Sequence, residues 1–209
     1  MYALRKRWFK QEPVQTVNLP VTGLNRHVVI AGGGRVGQYV AQVLQRLASA
    51  FVIIEVDYRR VMQAKAKGFP VIYGDVTQDT VLEASQVKRA SLVLITTPVI
   101  ATTRSIFNLA RHSNPTVTIV ARAEGVEQMA ALHGLGIYQV VQPEFEAGLE
   151  FTRQALLHLN ISATDIQRFT DTFRRELYAP LFRGKGDYQA LAHLQSVSHL
   201  LDLKWVRLL

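Results

Sequence analysis

Residues 27–57 read HVVIAGGGRVGQYVAQVLQRLASAFVIIEVD. An apolar strand over 27–31 runs into Gly32-Gly33-Gly34-Arg35-Val36-Gly37. A helix follows, with Val36, Val40, Val43, Leu44 and Leu47 on its apolar face, and a second strand over 51–56 ends in acid at Glu55 and Asp57. Strand, G-x-G-x-x-G turn, helix and an acid roughly 20 residues on form the dinucleotide-binding fingerprint in the context that gives it meaning. Gly32 lets the chain turn off the strand, Gly34 lets a pyrophosphate approach the backbone, and Gly37 lets the helix pack close to the sheet. The N–H groups that open the helix face the phosphates. Glu55 stands where a carboxylate accepts both ribose hydroxyls and repels a 2′-phosphate, which favours NAD-type or simple adenine nucleotides over NADP. Arg59 and Arg60 pull the other way, because a nearby Arg can hold a 2′-phosphate.

Beyond this stretch, helix and strand signals alternate. Helices are predicted over 58–67, 80–84, 100–112 and 124–133, and strands over 70–73, 91–97, 116–122 and 137–141, with stops at Gly68, Pro98, Pro115, Gly134 and Pro143. The strands VVI, FVII, LVLI and VTIV are apolar without alternation, which suits a parallel sheet covered on both faces. The expected fold class is α/β: a Rossmann-like, doubly wound, parallel six-stranded sheet in the order 3-2-1-4-5-6, with a C-terminal helical extension. Ligand would sit at the carboxyl ends of strands one and four, where the order reverses.

After residue 143 the pattern becomes helical. A long helix is predicted over 144–159, with Phe145, Leu149, Ala155, Leu156 and Leu159 as apolar points. Ser162-Ala163-Thr164-Asp165 can cap a second helix over 165–178. That helix carries Ile166, Phe169, Phe173 and Leu177 at helical spacing, a stripe to be buried on this domain or on a partner subunit. Gly184-Lys185-Gly186 reads as a hinge, 188–201 as a further helix and 203–209 as the start of a strand.

With 48% hydrophobic and 19% charged residues among 209, the composition is that of a globular chain, not a disordered one. The net charge of +8 and a pI near 10.0 point to an acidic partner: phosphates, nucleic acid or an anionic membrane surface. The charge concentrates at the ends, and no recognition helix or aromatic nucleic-acid motif stands out, so nucleic acid is not expected. The absence of cysteine excludes disulfides, thiolate nucleophiles and zinc–cysteine sites. No apolar run approaches the roughly 18 residues of a membrane span, and the N-terminus lacks the apolar core of a signal peptide. Residues 1–10, MYALRKRWFK, mix basic and aromatic side chains, as suits either a membrane–water interface or a solvated leader. Residues 11–25 carry Pro13, Pro20 and Gly23 and read as a linker.

Six stretches carry a family resemblance: HVVIAGGGRVGQYVA, VIIEVDYRRV, PVIYGDVTQDTVLEAS, ASLVLITTP, TIVARAEG and LGIYQVVQPEFEAGLE. The Gly-Asp-Val-Thr after strand three and the Arg inside the glycine turn are the most telling. Over about 27–159 the chain resembles the RCK domain, also called KTN or TrkA-N, which regulates potassium channels and cation–proton antiporters. The resemblance implies a cytosolic, nucleotide-sensing regulatory domain that binds NAD(H) or an adenine nucleotide (AMP, ADP or ATP). It implies gating of K+ or Na+/H+ transport by a membrane domain in the same or a partner chain, from the cytoplasmic face of the cell membrane. It also implies a homodimer, formed through the helices beyond strand four and the helix at Glu144. Residues 1–25 then look like the juxtamembrane leader and linker of a KefB- or KefC-like antiporter. Residues 26–142 form the RCK N domain, 143–183 a helical dimerisation arm, and 184–209 a hinge, a helix and the opening of an interrupted TrkA-C domain.

By the same resemblance Gly32, Gly34 and Gly37 form the phosphate loop, with Arg35 reaching terminal phosphates and Val36 beside it. Glu55 is the ribose carboxylate. Asp75 and Val76 stand at the adenine end, Thr96 and Thr97 beside the phosphates, and Arg122 faces the cleft. Two readings stay open for Asp75, ligand contact or turn initiator, and for Arg122, cleft residue or surface partner of Glu124. Asp57 reads as a helix cap. His27, His112 and His133 are scattered and suggest neither metal nor catalysis. The alternative function is a small NAD(H)-dependent oxidoreductase. Against it, the only Tyr-x-x-x-Lys, Tyr2 to Lys6, precedes the first strand, no hydrolase or metalloprotease motif occurs, and little chain remains for a substrate domain.

Overall fold

The computed structural model describes residues 14–20, 23–137 and 139–178. The basic leader at 1–10, the hinge at 184–186 and the elements predicted over 188–201 and 203–209 lie outside the described residues. The chain divides into two compact units, Met1–Pro143 and Glu144–Leu209.

The first unit is built on one sheet. Its strands are β1 (Gln15–Val17), β2 (Val28–Ala31), β3 (Phe51–Glu55), β4 (Val71–Tyr73), β5 (Leu92–Ile95), β6 (Thr118–Arg122) and β7 (Gln139–Val141). Their order is β1-β4-β3-β2-β5-β6-β7. From β2 onward every pairing is parallel, and counted from β2 the order is the expected 3-2-1-4-5-6. Ala31 pairs with Ile54 on one side and Ile95 on the other, so β3, β2 and β5 end level with one another. The order reverses between β2 and β5, the point at which sheets of this kind place a ligand crevice outside the carboxyl ends of the strands.

The helices of this unit are α1 (Arg35–Arg46), α2 (Tyr58–Ala66), α3 (Asp79–Ala84), α4 (Ile100–Ser113) and α5 (Val126–Gly134), with a 3-10 turn at Val87–Arg89. Val29, Ile30, Ala31 and the whole of β3 are buried, which is why those strands carry no polar alternation. Ile30, Ala41, Phe51, Ile53, Val61, Ala64, Phe69 and Val71 form one core cluster, with Phe51 and Phe69 edge to face at 5.8 Å. Asp57 caps α2, its Oδ1 accepting the Arg59 N–H at 2.8 Å, as expected of Asp at that place.

β1 was not predicted; its residues fall in the linker region. Three residues with a single apolar side chain give no period to read. It pairs antiparallel with β4, Gln15 opposite Tyr73 and Val17 opposite Val71, and covers an otherwise open edge. Asn18 Nδ2 then donates to the Lys65 and Phe69 carbonyls, and the Leu24 N–H donates to Gln86 Oε1. The segment before β2 is therefore tied to the sheet at both ends.

In the second unit, α6 (Pro143–His158) and α7 (Ala163–Tyr178) form a helical hairpin. Asn160 adopts φ 57° and the Ile161 N–H returns to the Leu156 carbonyl at 3.1 Å, a Schellman stop. Ser162 Oγ accepts the Asp165 N–H at 3.1 Å and caps α7. The apolar stripe of α7 is split. Ile166 is buried and Leu177 half-buried, whereas Phe169 and Phe173 are 46% and 54% exposed. The hairpin stop rotates α7 so that Thr170 and Arg174 take the inner face. Thr170 Oγ1 donates to the Ile166 carbonyl, and Arg174 Nη2 donates to Glu146 Oε2 at 2.8 Å, so both polar groups are satisfied there.

At the amino edge of the sheet, His27 is fully buried. Its Nε2–H donates to the Ser85 carbonyl at 2.8 Å, and Nδ1 has no partner among the described residues. Burial pushes the pKa below the ordinary 6.5, with the Ser85 bond opposing. The unfolded chain therefore takes up this proton first. The stability is present above 6.5 and is lost as pH falls from there towards the depressed folded value. We expect the melting temperature to drop between about pH 7.5 and pH 5.5 more steeply in the parent chain than in His27→Gln, followed by circular dichroism. Equal slopes would refute this.

Candidate functional site

The glycine turn sits between the ends of β2, β3 and β5, and its glycines differ in what surrounds them. Gly32 has φ +113°, and a Cβ there would lie 2.7 Å from Thr96 Oγ1. A Cβ on Gly37 would overlap the Gly32 carbonyl oxygen, so α1 begins against the end of β2 itself. Gly33 is also packed, with Glu55 Oε2 at 3.1 Å and Ile53 Cγ2 at 3.2 Å from its Cβ position. Gly34 alone of the four faces space: among the described residues its only neighbour within 4 Å of a Cβ position is Arg60 Nη1, at 3.8 Å. Among the described residues no side chain caps α1, so the amides of its first turn open onto that space.

Glu55 ends β3 and is 4% exposed. Its Oε2 accepts the Gly33 N–H at 2.7 Å, and its Oε1 accepts the Val56 and Asp57 N–H groups at 2.8 Å each. The carboxylate is thus a clasp between β3 and the glycine turn. Arg60, on the first turn of α2, brings Nη1 to 3.7 Å from Glu55 Oε2 and Nε to 3.7 Å from Asp57 Oδ2. From β5, the Thr96 hydroxyl donates to the Gly32 carbonyl at 2.8 Å. Thr96 therefore secures the turn from the other side.

The remaining predicted residues line the same carboxyl edge. Arg35 is the exposed first residue of α1 and makes no ion pair with the described residues. Val36 follows it, half-buried. Asp75 Oδ1 accepts both the Thr77 N–H and the Thr77 hydroxyl, at 2.9 and 2.7 Å, and its carbonyl accepts the Gln78 N–H. Of its two readings, turn initiation is the one visible here. Val76 is half-buried beside it. Thr97 Oγ1 receives the Val99 N–H at a long 3.5 Å. Arg122 ends β6, half-buried, one strand past the reversal.

Hydrogen bonds gather Gly32, Gly33, Glu55 and Thr96 into one cluster. Gly33 was not among the predicted contacts, because it occupies a position the fingerprint leaves free. Arg60 was noted in the sequence only together with Arg59, as a nearby arginine that can hold a 2′-phosphate. A cleft of about 470 Å³ lined by Glu83, Gln86, Val87, Lys88 and Arg89 lies at the amino edge, away from this cluster.

Residues 28–143 match the TrkA-N domain model. The chain belongs to the TrkA-N family, the RCK or KTN domains. Over 187 residues, 87% of the chain, it is 32% identical to a putative K(+) efflux antiporter KefB of Alkalimonas amylolytica, and the match spans 28% of that relative. Its fold is similar to the Kef CTD of Shewanella denitrificans in its AMP-bound form, with a TM-score of 0.63 and 28% identity over 74% of this chain and 94% of that one. It is also similar to the TrkA-N domain of the inner membrane protein YbaL of Escherichia coli, with a TM-score of 0.57 and 26% identity over 65% of this chain and 97% of that one. No helix among the described residues is long and apolar enough to cross a membrane.

The surroundings of the glycines differ in what an added side chain would cost the fold. Gly37→Ala must drive α1 off the end of β2, at a cost of about 1–3 kcal/mol. Gly34 has φ −69°, which alanine adopts freely, so Gly34→Ala should stay within about 1 kcal/mol of the parent chain in urea unfolding. A tolerated Gly37→Ala would contradict the close approach of helix and strand.

Proposed function

We propose that this TrkA-N domain is a cytosolic nucleotide sensor. It binds an adenine nucleotide or NAD(H) at the reversal between β2 and β5 and thereby gates monovalent cation transport by a membrane domain in the same or a partner chain. The observation that carries this reading is the open space at Gly34, bounded by the uncapped start of α1 and by the ends of β3 and β5. That is the shape and polarity that a phosphate on adenosine requires. The AMP-bound state of the similar Kef domain supports the ligand class, and the KefB relative supports the cation transporter.

In this reading Gly34, Arg35 and Val36 border the phosphate while Gly37 lets α1 start close enough to meet it, Asp75 and Val76 border the adenine, and Thr97 and Arg122 face the far side of the crevice. Val56 and Tyr58, 63% and 58% exposed beside Glu55, supply apolar surface for the base. Two copies associate through helices that include the α6–α7 hairpin, whose exposed Phe169 and Phe173 would be covered. Sensing requires that the nucleotide bind one of two states more tightly, with a coupling of about 1–3 kcal/mol. The segment running through β1 is the element that would carry the change out of the sheet. The role is occupancy sensing, with no chemistry performed on the nucleotide.

Isothermal titration of AMP, ADP, ATP, NAD and NADH is expected to give saturable binding to at least one of them below millimolar concentration. Gly34→Asp should abolish that binding while leaving the melting temperature close to that of the parent chain. Absence of any response at millimolar nucleotide would defeat the proposal, and steady NADH turnover with a carbonyl substrate would replace it with an oxidoreductase.

A further inference from the structure

The seat for adenosine leaves one specificity question that the side chains of this chain bear on: what the site accepts at the ribose 2′ position. A carboxylate at the end of the second parallel strand discriminates by presenting free oxygen lone pairs to the 2′- and 3′-hydroxyls. Glu55 is placed for this by sequence, yet its carboxylate is turned inward. A carboxylate offers about four acceptor positions. Three are filled by the Gly33, Val56 and Asp57 amides at 2.7–2.8 Å. At 4% exposure, the group presents little charge to a ligand.

A cation stands beside this carboxylate. Arg60 Nη1 is 3.7 Å from Glu55 Oε2 and 3.8 Å from a Cβ position on Gly34, so the guanidinium lies between the ribose acid and the phosphate turn. Both of its ion-pair distances, to Glu55 and to Asp57, are 3.7 Å, too long for hydrogen bonds, and the side chain is 50% exposed. The guanidinium donors are therefore available, in a fork that matches phosphate oxygens.

We propose that Arg60 sets 2′ specificity, so that the site takes a 2′-phosphorylated adenosine, the NADP(H) class, at least as well as the unphosphorylated one. This rests on the nucleotide reading above and adds to it a preference that reading does not contain. Glu55 acts as a positioning residue for the glycine turn, and the discriminating charge is the arginine.

The test is titration of the full chain with adenosine 5′-monophosphate and with adenosine 2′,5′-bisphosphate, for the parent, Arg60→Ala and Arg60→Gln, with melting curves to confirm folding. In the parent chain the bisphosphate should bind with a dissociation constant equal to or lower than that of the monophosphate. Both variants should raise the ratio of the two constants by about tenfold, as loss of a charge-assisted contact to phosphate implies. A parent chain that prefers the monophosphate by tenfold or more would overturn the proposal. So would variants that weaken both ligands alike, since Arg60 would then be a general phosphate counter-ion. Binding of the monophosphate with no binding of the bisphosphate overturns the inference and leaves the nucleotide reading standing. Failure of both to bind overturns the inference, while the nucleotide reading is decided separately by the titrations of ADP, ATP, NAD and NADH.

Discussion

Helix α1 can start where it does only because position 37 carries no side chain: any Cβ there would enter the Gly32 carbonyl oxygen. That single approach distance fixes the rest of the site. It brings the positive end of the α1 dipole to the carboxyl edge of the sheet, at the point where strand order reverses. It also forces the chain through a turn at φ +113°, a conformation that would be loose if nothing held it. Two neighbouring strands hold it. β5 supplies the Thr96 hydroxyl to the Gly32 carbonyl, and β3 supplies the Glu55 carboxylate to the Gly33 amide. A turn braced from both sides loses little conformational freedom when a ligand arrives, and less of the binding energy is spent on ordering it.

The parallel sheet, its order and the two helices α6 and α7 were legible in the sequence because their elements carry strong local signals. Apolar runs without alternation mark buried strands, glycine and proline mark the stops, and Asp57 and Ser162 cap helices as their residue types predict. The site was legible in outline only. Fingerprint spacing places Glu55 beside a ribose, but not the direction of its carboxylate, which depends on three backbone amides brought together by the fold. Thr96 has the polarity of a phosphate contact, yet its hydroxyl is used on the Gly32 carbonyl, a partner 64 residues away in sequence. β1 left no trace because its stability comes from the edge of β4 and not from its own three residues. The rotation of α7 is likewise a tertiary outcome. Helical spacing groups Phe169 and Phe173 with Ile166, whereas the hairpin stop and the Arg174–Glu146 pair turn them outward.

β4 lies between the segment that precedes the parallel sheet and the strand that braces the glycine turn. On one side it pairs with β1, which belongs to the segment preceding the parallel sheet. On the other it pairs with β3, and at its end the Gly74 N–H donates to the Glu55 carbonyl at 3.0 Å. The backbone of Glu55 is thus bonded towards β1 while its side chain is bonded to the glycine turn. A shift of either end must deform or break hydrogen bonds along a strand of only three residues, Val71–Tyr73. Packed interiors resist such continuous deformation, so a shift is favoured only where a second discrete arrangement exists.

The contact best suited to differ between two arrangements is the one least committed in this one. The amide bonds to Glu55 are short and the carboxylate itself is buried, so breaking them would leave it without donors in the core. The Arg60 guanidinium is different: it is half-exposed and held only by long ion pairs to Glu55 and Asp57. Such pairs contribute little to stability in solvent, so their rearrangement costs little. An anion placed beside Gly34 would compete directly with those two carboxylates for the same cation. Of the groups around the turn, Arg60 therefore has the largest capacity to change partners on occupancy, while Glu55 keeps the turn itself unchanged.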